Sequence, residues 1–166
     1  MNELLQRVIN KTKEAYEKEI FSLEEYRGQT SLLIKPEKAF EILLFLKNCD
    51  AEFDVLMDLC GLDYNGQNKP ERFCVAYHLY SLSKNIMVRV KAFLPESNPK
   101  INSVMSIWKS ADWAEREAFD MYGIIFANRT GLKRLLLPEN YGAYPLRKEY
   151  PLQGIGERYQ FEKYKD

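Results

Sequence analysis

Two neighbouring runs alternate apolar and polar residues so regularly that they limit the fold before anything else does. From Arg72 to Ser81, Phe73, Val75, Tyr77 and Leu79 fall on one face. From Ile86 to Leu94, Ile86, Val88, Val90, Ala92 and Leu94 do the same against Met87, Arg89, Lys91 and Phe93. A period of two belongs to extended chain with one face buried. Ser83-Lys84-Asn85 lies between the runs, so a hairpin is their natural connection. Such a pair needs a second layer over its apolar face.

The flanking chain offers that layer. Asn2 to Lys18 reads as an amphipathic helix through Leu4, Leu5, Val8, Ile9, Ala15 and Tyr16. Ile20 to Gly28 is a connector or short strand, and Thr30 to Lys35 a strand. Pro36 suits the first position of a helix over Glu37 to Asn48, with Phe40, Leu43, Leu44 and Phe45 facing inward. Glu52 to Leu62 is a further strand, ended by the turn signal Asp63-Tyr64-Asn65-Gly66. After the loop Pro95 to Pro99, a helix is expected near Ile101 to Trp108. The order α-β-α-β-β-β-α predicts an α+β fold, a two-layer domain with helices on one face of a mixed, largely antiparallel sheet. It occupies residues 1–126, and residues 127–166 form an extended C-terminal segment.

One more helix is expected from Ser110 to Tyr122, with Ser110 as N-cap, Asp112 in the first turn and Gly123 at the left-handed stop. Ala111, Ala114, Ala118, Met121 and Tyr122 share one arc. Asp112, Arg116 and Asp120 form an i, i+4 charge ladder on another. Glu117 is the anomaly, a carboxylate between Trp113 and Met121 at the apolar rim. It is expected to be partly buried and paired with a cation, the run Leu132 to Arg134 being one source, and Glu115→Ala to matter less than Glu117→Ala if Glu115 faces solvent.

From Gly131 onward Pro138, Pro145 and Pro151 prevent a sustained helix. Yet five of the eleven tyrosines fall in this stretch, among many leucines. So apolar a segment lies on something, either its own domain or another protein. Arg147 and Lys148, flanked by proline, are expected to meet acidic groups of a partner.

The totals exclude several classes. Twenty-four basic and 24 acidic residues give no electrostatic footprint for a polyanion or an anionic membrane surface. The longest apolar runs, such as Ile42 to Leu46, are far shorter than the roughly 20 residues of a membrane span, and no secretory signal opens the chain. Three cysteines, Cys49, Cys60 and Cys74, suit neither a disulfide framework nor a zinc or four-thiolate iron–sulfur site, and are expected reduced. The sole histidine, His78, is expected to be structural. No phosphate loop, nucleophile elbow or metalloprotease pattern appears. An acid–base enzyme built on Glu115, Glu117 and Asp120 near Arg116 suffers from carboxylates that do not converge. Nucleic-acid binding through the tail suffers from seven basic against five acidic residues from Leu132 onward.

The run Trp108-Lys-Ser-Ala-Asp-Trp-Ala-Glu-Arg-Glu-Ala-Phe-Asp-Met-Tyr-Gly-Ile-Ile-Phe is followed by Leu132-Lys-Arg-Leu-Leu-Leu-Pro-Glu and Tyr144-Pro-Leu-Arg-Lys-Glu-Tyr-Pro. Together they resemble the C-type subunit of the proton-pumping NADH-quinone oxidoreductases (respiratory complex I), a family shared with subunits of membrane-bound hydrogenases. The resemblance implies a non-catalytic subunit of the hydrophilic arm, or the equivalent subunit of a related hydrogenase or other-donor quinone reductase complex. It implies that this chain holds no cofactor, with NAD, FMN, iron–sulfur clusters and quinone in partner subunits. It places the chain at the cytoplasmic face of the cell inner membrane without a span of its own. The C-terminal segment would wrap onto the D-type, quinone-site subunit. The motif positions carried over are Trp113, Glu115, Arg116, Glu117, Asp120, Gly123, Pro145, Leu146, Arg147 and Lys148, with roles in fold and assembly. One departure stands out: the family usually has Gly-His-Pro before the Leu-Arg/Lys-Arg run, whereas this chain reads Ala127-Asn128-Arg129-Thr130-Gly131.

Overall fold

In the computed structural model, which describes residues 3–155, the chain begins with α1 (Glu3–Ala15), β1 (Ile20–Tyr26) and β2 (Gln29–Ile34). A short 3-10 turn, Pro36–Lys38, leads into α2 (Ala39–Asn48). Then come β3 (Val55–Asp63), β4 (Phe73–Ser81), β5 (Ile86–Leu94), β6 (Lys100–Asn102), α3 (Ala111–Tyr122) and β7 (Ile125–Ala127). Five strands form one sheet in the order β1-β2-β5-β4-β3, antiparallel except where β2 runs parallel to β5. The alternating runs pair as their pattern demands, Phe73 opposite Leu94 and Ser81 opposite Ile86. Arg27 and Gly28, at φ 51° and 75°, make the tight turn that joins β1 to β2.

All three helices cover the same sheet face. Val8 and Ile9 of α1, Ile42, Leu43 and Leu46 of α2, and Ala111 and Ala118 of α3 share one buried cluster with Tyr77, Leu79, Val88 and Val90. Each large side chain buried there is worth about 1.5–3 kcal/mol, which offsets the ordering of the elements that carry it. The α+β reading therefore holds. α3 is seated on β3 by Gly61, where an added Cβ would lie 2.6 Å from the Tyr122 ring.

Three local expectations change. Leu44 does not face inward but is 39% exposed, the buried face of α2 being Ala39, Ile42, Leu43 and Leu46. The β3 strand starts at Val55, after Glu52 turns the chain at φ 52°. Ile101 to Trp108 is not helical. Lys100–Asn102 instead pairs in parallel with β7, and only turns follow. The reason is that the Val104 N–H bonds the Glu115 carboxylate at 2.7 Å rather than a preceding carbonyl. The buried residues Ile101, Val104 and Ile107 mimic helical spacing without the helix. The boundary drawn between residues 126 and 127 falls inside β7.

Candidate functional site

The site is the contact between α3 and residues 128–150, a clasp without helix or strand. A helix leaves its last four carbonyls without internal partners. Here every one is satisfied. Phe119 O accepts the Gly123 N–H at 2.8 Å, and Asp120 O accepts Arg134 Nη1 at 3.2 Å. Met121 O accepts the Leu146 N–H at 3.2 Å, and Tyr122 O accepts Arg147 Nε at 2.8 Å. Two of the four donors are guanidinium groups, which the negative end of the helix dipole favours.

Gly123 stops the helix in the left-handed conformation expected of it, φ 77°. A Cβ there would also lie 2.7 Å from Arg147 Nη2 and 2.8 Å from the Tyr144 ring. Gly123→Ala is therefore expected to destabilise the chain by about 1–3 kcal/mol. Gly142→Ala, with open space around it, should change stability by less than about 0.5 kcal/mol. Urea midpoints of the two variants check the contrast.

Along the helix, carboxylates receive the clasp. Asp120 is fully buried; its Oδ1 pairs with Arg134 at 2.7 Å. Its Oδ2 accepts the consecutive backbone N–H groups of Leu135, Leu136 and Leu137 at 3.0, 2.7 and 3.0 Å. Glu115, also fully buried, accepts Ser103 Oγ at 2.7 Å, the Val104 N–H, and Arg129 at 2.9 Å. Arg129 also pairs with Asp112, and only 2% of its side chain is exposed. Arg116 donates to Lys133 O and Arg134 O and stacks over Trp113, 5.1 Å from the ring centroid. So Asp112, Arg116 and Asp120 do not form a ladder with one another. Each reaches across to the clasp.

The expectation for Glu117 is overturned. Glu117 is exposed, because Trp113, its neighbour one turn earlier, is itself 61% exposed. Glu115 is the buried acid, sitting four residues after Ala111 and three before Ala118 on the arc that packs inward. The arginine expected from Leu132 to Arg134 exists, but Arg134 goes to Asp120. Ser110 does not cap with its side chain; its Oγ donates to Leu56 O at 3.2 Å.

Further along, Pro145 is half-buried and Leu146 is 49% exposed. Arg147 lies between aromatic rings, 5.0 Å from Phe73 and 4.5 Å from Tyr144. The Lys148 backbone N–H donates to buried Asp63 at 2.8 Å, while its side chain is exposed. Asp63 also accepts Arg72 at 2.9 Å, and Arg72 in turn pairs with Glu96 and Glu149. The pairings of Asp63, Arg72 and Arg129 span nine residues or more, beyond the reach of any helical or strand period in the sequence. The turn that departs from the family pattern keeps a left-handed residue, Asn128 at φ 58°, and turns Arg129 inward.

Burial alone would raise the Asp120 carboxyl, but Arg134 and the three leucine N–H groups outweigh it and hold the group below its ordinary 3.8. Asp63 behaves alike: Arg72 and the N–H groups of Lys148 and Asn65 overcome burial. Depressed carboxyls stabilise the fold above their unfolded value and lose that contribution as pH falls through the folded one. Glu115 has the opposite sign. Burial raises it against Ser103, Val104 and Arg129, so its contribution is present below about 4.5 and declines as pH rises through the folded value. The clasp is expected to loosen on acidification below the ordinary aspartate range. Amide exchange at residues 135–137 should then rise before that of β4, and Asp120→Asn should flatten the dependence.

Among the described residues one cluster offers mixed ligand types: Asp58, Cys60 and His78, with ligand atoms within 4.8 Å of one another. Arg89 Nε donates to His78 Nε2 at 2.8 Å, which leaves the imidazole proton on Nδ1, the nitrogen facing Asp58. A metal would need that lone pair, beside a guanidinium. His78 thus serves the sheet surface, bridging β4 to Arg89 and, through it, Gln29.

Residues 32–155 match the family model described as respiratory-chain NADH dehydrogenase, 30 Kd subunit. The chain belongs to this family. The C-type subunit of NADH-quinone oxidoreductase from Citrifermentans bemidjiense is 42% identical over 148 residues, 89% of this chain and 90% of that protein. The Geobacter metallireducens protein of the same name is 38% identical over 150 residues, 90% and 91% of the two chains. The trypsin-resistant fragment (1-134) of Nqo5 superposes with a TM-score of 0.66 at 30% identity, covering 75% of this chain and 96% of that one. A chain of the membrane-bound sulfane sulfur reductase, an archaeal respiratory membrane complex, shares the fold over 99% of this chain and 96% of that one, with a TM-score of 0.76 at 19% identity. The 30 Kd family match spans β3, β4, β5, α3 and the clasp together. No helix among the described residues is long and apolar enough to cross a membrane.

Proposed function

We propose that this chain is the non-catalytic, C-type member of the hydrophilic arm of a membrane-bound NADH-quinone oxidoreductase. In this reading it holds the arm together, at the cytoplasmic face of the cell inner membrane, while partner subunits carry electrons to quinone. The observation that carries the reading is the closure of the buried acids: Glu115, Asp120 and Asp63 are each filled by the chain's own donors. Such carboxylates hold polypeptide rather than substrate. Three cysteines in the whole chain are too few for a four-thiolate cluster, so iron–sulfur clusters of that kind are assigned to partners; NAD, FMN and quinone are assigned there with them on the family resemblance.

The clasp has two sides, which supports an adaptor role. Its inner groups fasten to α3, whereas Leu136 on it and Leu152 just beyond it are 65% and 106% exposed. We assign that outer side to the D-type, quinone-site subunit; the rest of the expected wrapping segment, residues 156–166, lies outside the described residues. The motif residues Trp113, Arg116, Gly123, Pro145 and Arg147 then act by shaping the clasp. The test is recovery of the other subunits with the tagged chain from solubilised membranes. Leu136→Asp and Leu152→Asp should leave the free chain's stability within about 0.5 kcal/mol yet reduce that recovery. Full recovery with both variants would refute the assignment of this side.

A further inference from the structure

Between β3 and α3 runs a second surface, which the clasp does not fill. It is a cavity of about 190 Å³ floored by Ala114, Ala118 and Met121 and rimmed by Asp58, Glu117 and Leu146. Two properties make it unlike an ordinary surface dimple. Its rim holds two carboxylates that no cation among the described residues neutralises. Among the described residues Glu117 has no ion pair, and Asp58 meets only His78, 3.9 Å away. Burial and Arg89 both disfavour charge on that imidazole. The second property is the flank: Met57, beside Asp58, is 59% exposed, and Trp113, one turn before Glu117, is 61% exposed. Exposed Met and Trp beside small floor residues are the composition of an interface centre.

The two features select one kind of occupant. A slot with an apolar floor and acids at its rim matches a long aliphatic stem ending in a cation, that is, lysine or arginine. Nucleic acid would meet repulsion from both carboxylates. We propose that this groove docks an extended segment of a partner subunit, one lysine or arginine of which lays its stem over Ala118 and Met121 and its charge between Asp58 and Glu117. The proposal rests on the reading of this chain as a component of the arm and adds a docking site separate from the clasp's leucines.

Hydroxyl-radical footprinting of Met57 and Trp113, in the membrane-extracted complex and in the free chain, tests it together with charge reversal. Both residues are expected to oxidise about tenfold more slowly in the complex, and Asp58→Lys with Glu117→Lys to cut retention about tenfold or more. The free chain's Tm should stay unchanged. Should the double reversal unfold the free chain, Asp58→Asn with Glu117→Gln makes the same test with a smaller expected loss. Equal oxidation in both states, or retention of the charge variants like wild type, overturns the proposal. Protection already present in the free chain also overturns it. If lost on truncation after Ile155, that protection assigns the groove to the chain's own residues 156–166; if it rises with concentration, to a second copy. A wild-type chain recovered with no membrane subunit refutes the reading as an arm component, and the groove assignment falls with it.

Discussion

Asp120→Ala is expected to release the clasp from α3. The substitution removes the partner of Arg134 and the acceptor of three consecutive backbone N–H groups at once. Breaking a buried pair by deleting one member costs on the order of 3–5 kcal/mol, because the other member stays buried without compensation. Arg134 has few alternatives, since its side chain is 11% exposed and its other bonds go to Asp120 O, Tyr141 O and Ala143 O. The loss should be local first. Trypsin should cut after Lys133 and Arg134 in the variant well before it reaches the sheet, and amide protection at residues 135–137 should vanish. Asp120→Asn, which keeps an acceptor but no charge, should fall between. A variant whose clasp resists trypsin like wild type would show that the leucines and tyrosines hold it without the carboxylate.

Glu115→Ala is expected to strike the domain itself. It leaves the Arg129 side chain, 2% exposed, with Asp112 as its one carboxylate partner among the described residues, and removes the acceptor of both Ser103 Oγ and the Val104 N–H. A cost on the order of 3–5 kcal/mol corresponds to a fall in Tm of roughly 10 °C for a chain of this size. Glu117→Ala, on the exposed side, should shift stability by less than about 0.5 kcal/mol. This order is the reverse of the one read from the sequence. A double-mutant cycle with Arg129→Ala should return a coupling energy well above about 0.5 kcal/mol. Equal melting of the Glu115 and Glu117 variants would mean that the buried pair adds nothing over its desolvation.

The inversion shows where legibility ended. β4 and β5 were readable because their period is local and uninterrupted, and α3 because Gly123 marks its stop. Glu117 drew notice through two large apolar neighbours, but a tryptophan partly covered by Arg116 can stand in solvent. Glu115 carried the better signal, since around the helix it lies about 40° from Ala111 and about 20° from Tyr122. What remained out of reach was non-local. Arg129 is buried by contacts made 14 and 17 residues back along the chain, and Arg72 touches Glu149 across 77 residues. Likewise β6 and β7 are three residues each and exist only through each other. The clasp was legible as extended and apolar. That its inner side closes on α3 was written in pairings no window of sequence contains.

The capping of α3 has a bearing on the timing of folding. Tyr122 O waits for Arg147, 25 residues further on, so the last turn of the helix stays open while that stretch leaves the ribosome. Contacts of this sequence separation, on a segment without helix or strand, are expected to form on the native side of the folding barrier. Weakening them should leave the refolding rate nearly unchanged and hasten unfolding. The lifetime of the folded chain, more than its speed of formation, is then governed by Arg134 and Arg147, two arginines that follow the helix end they cap.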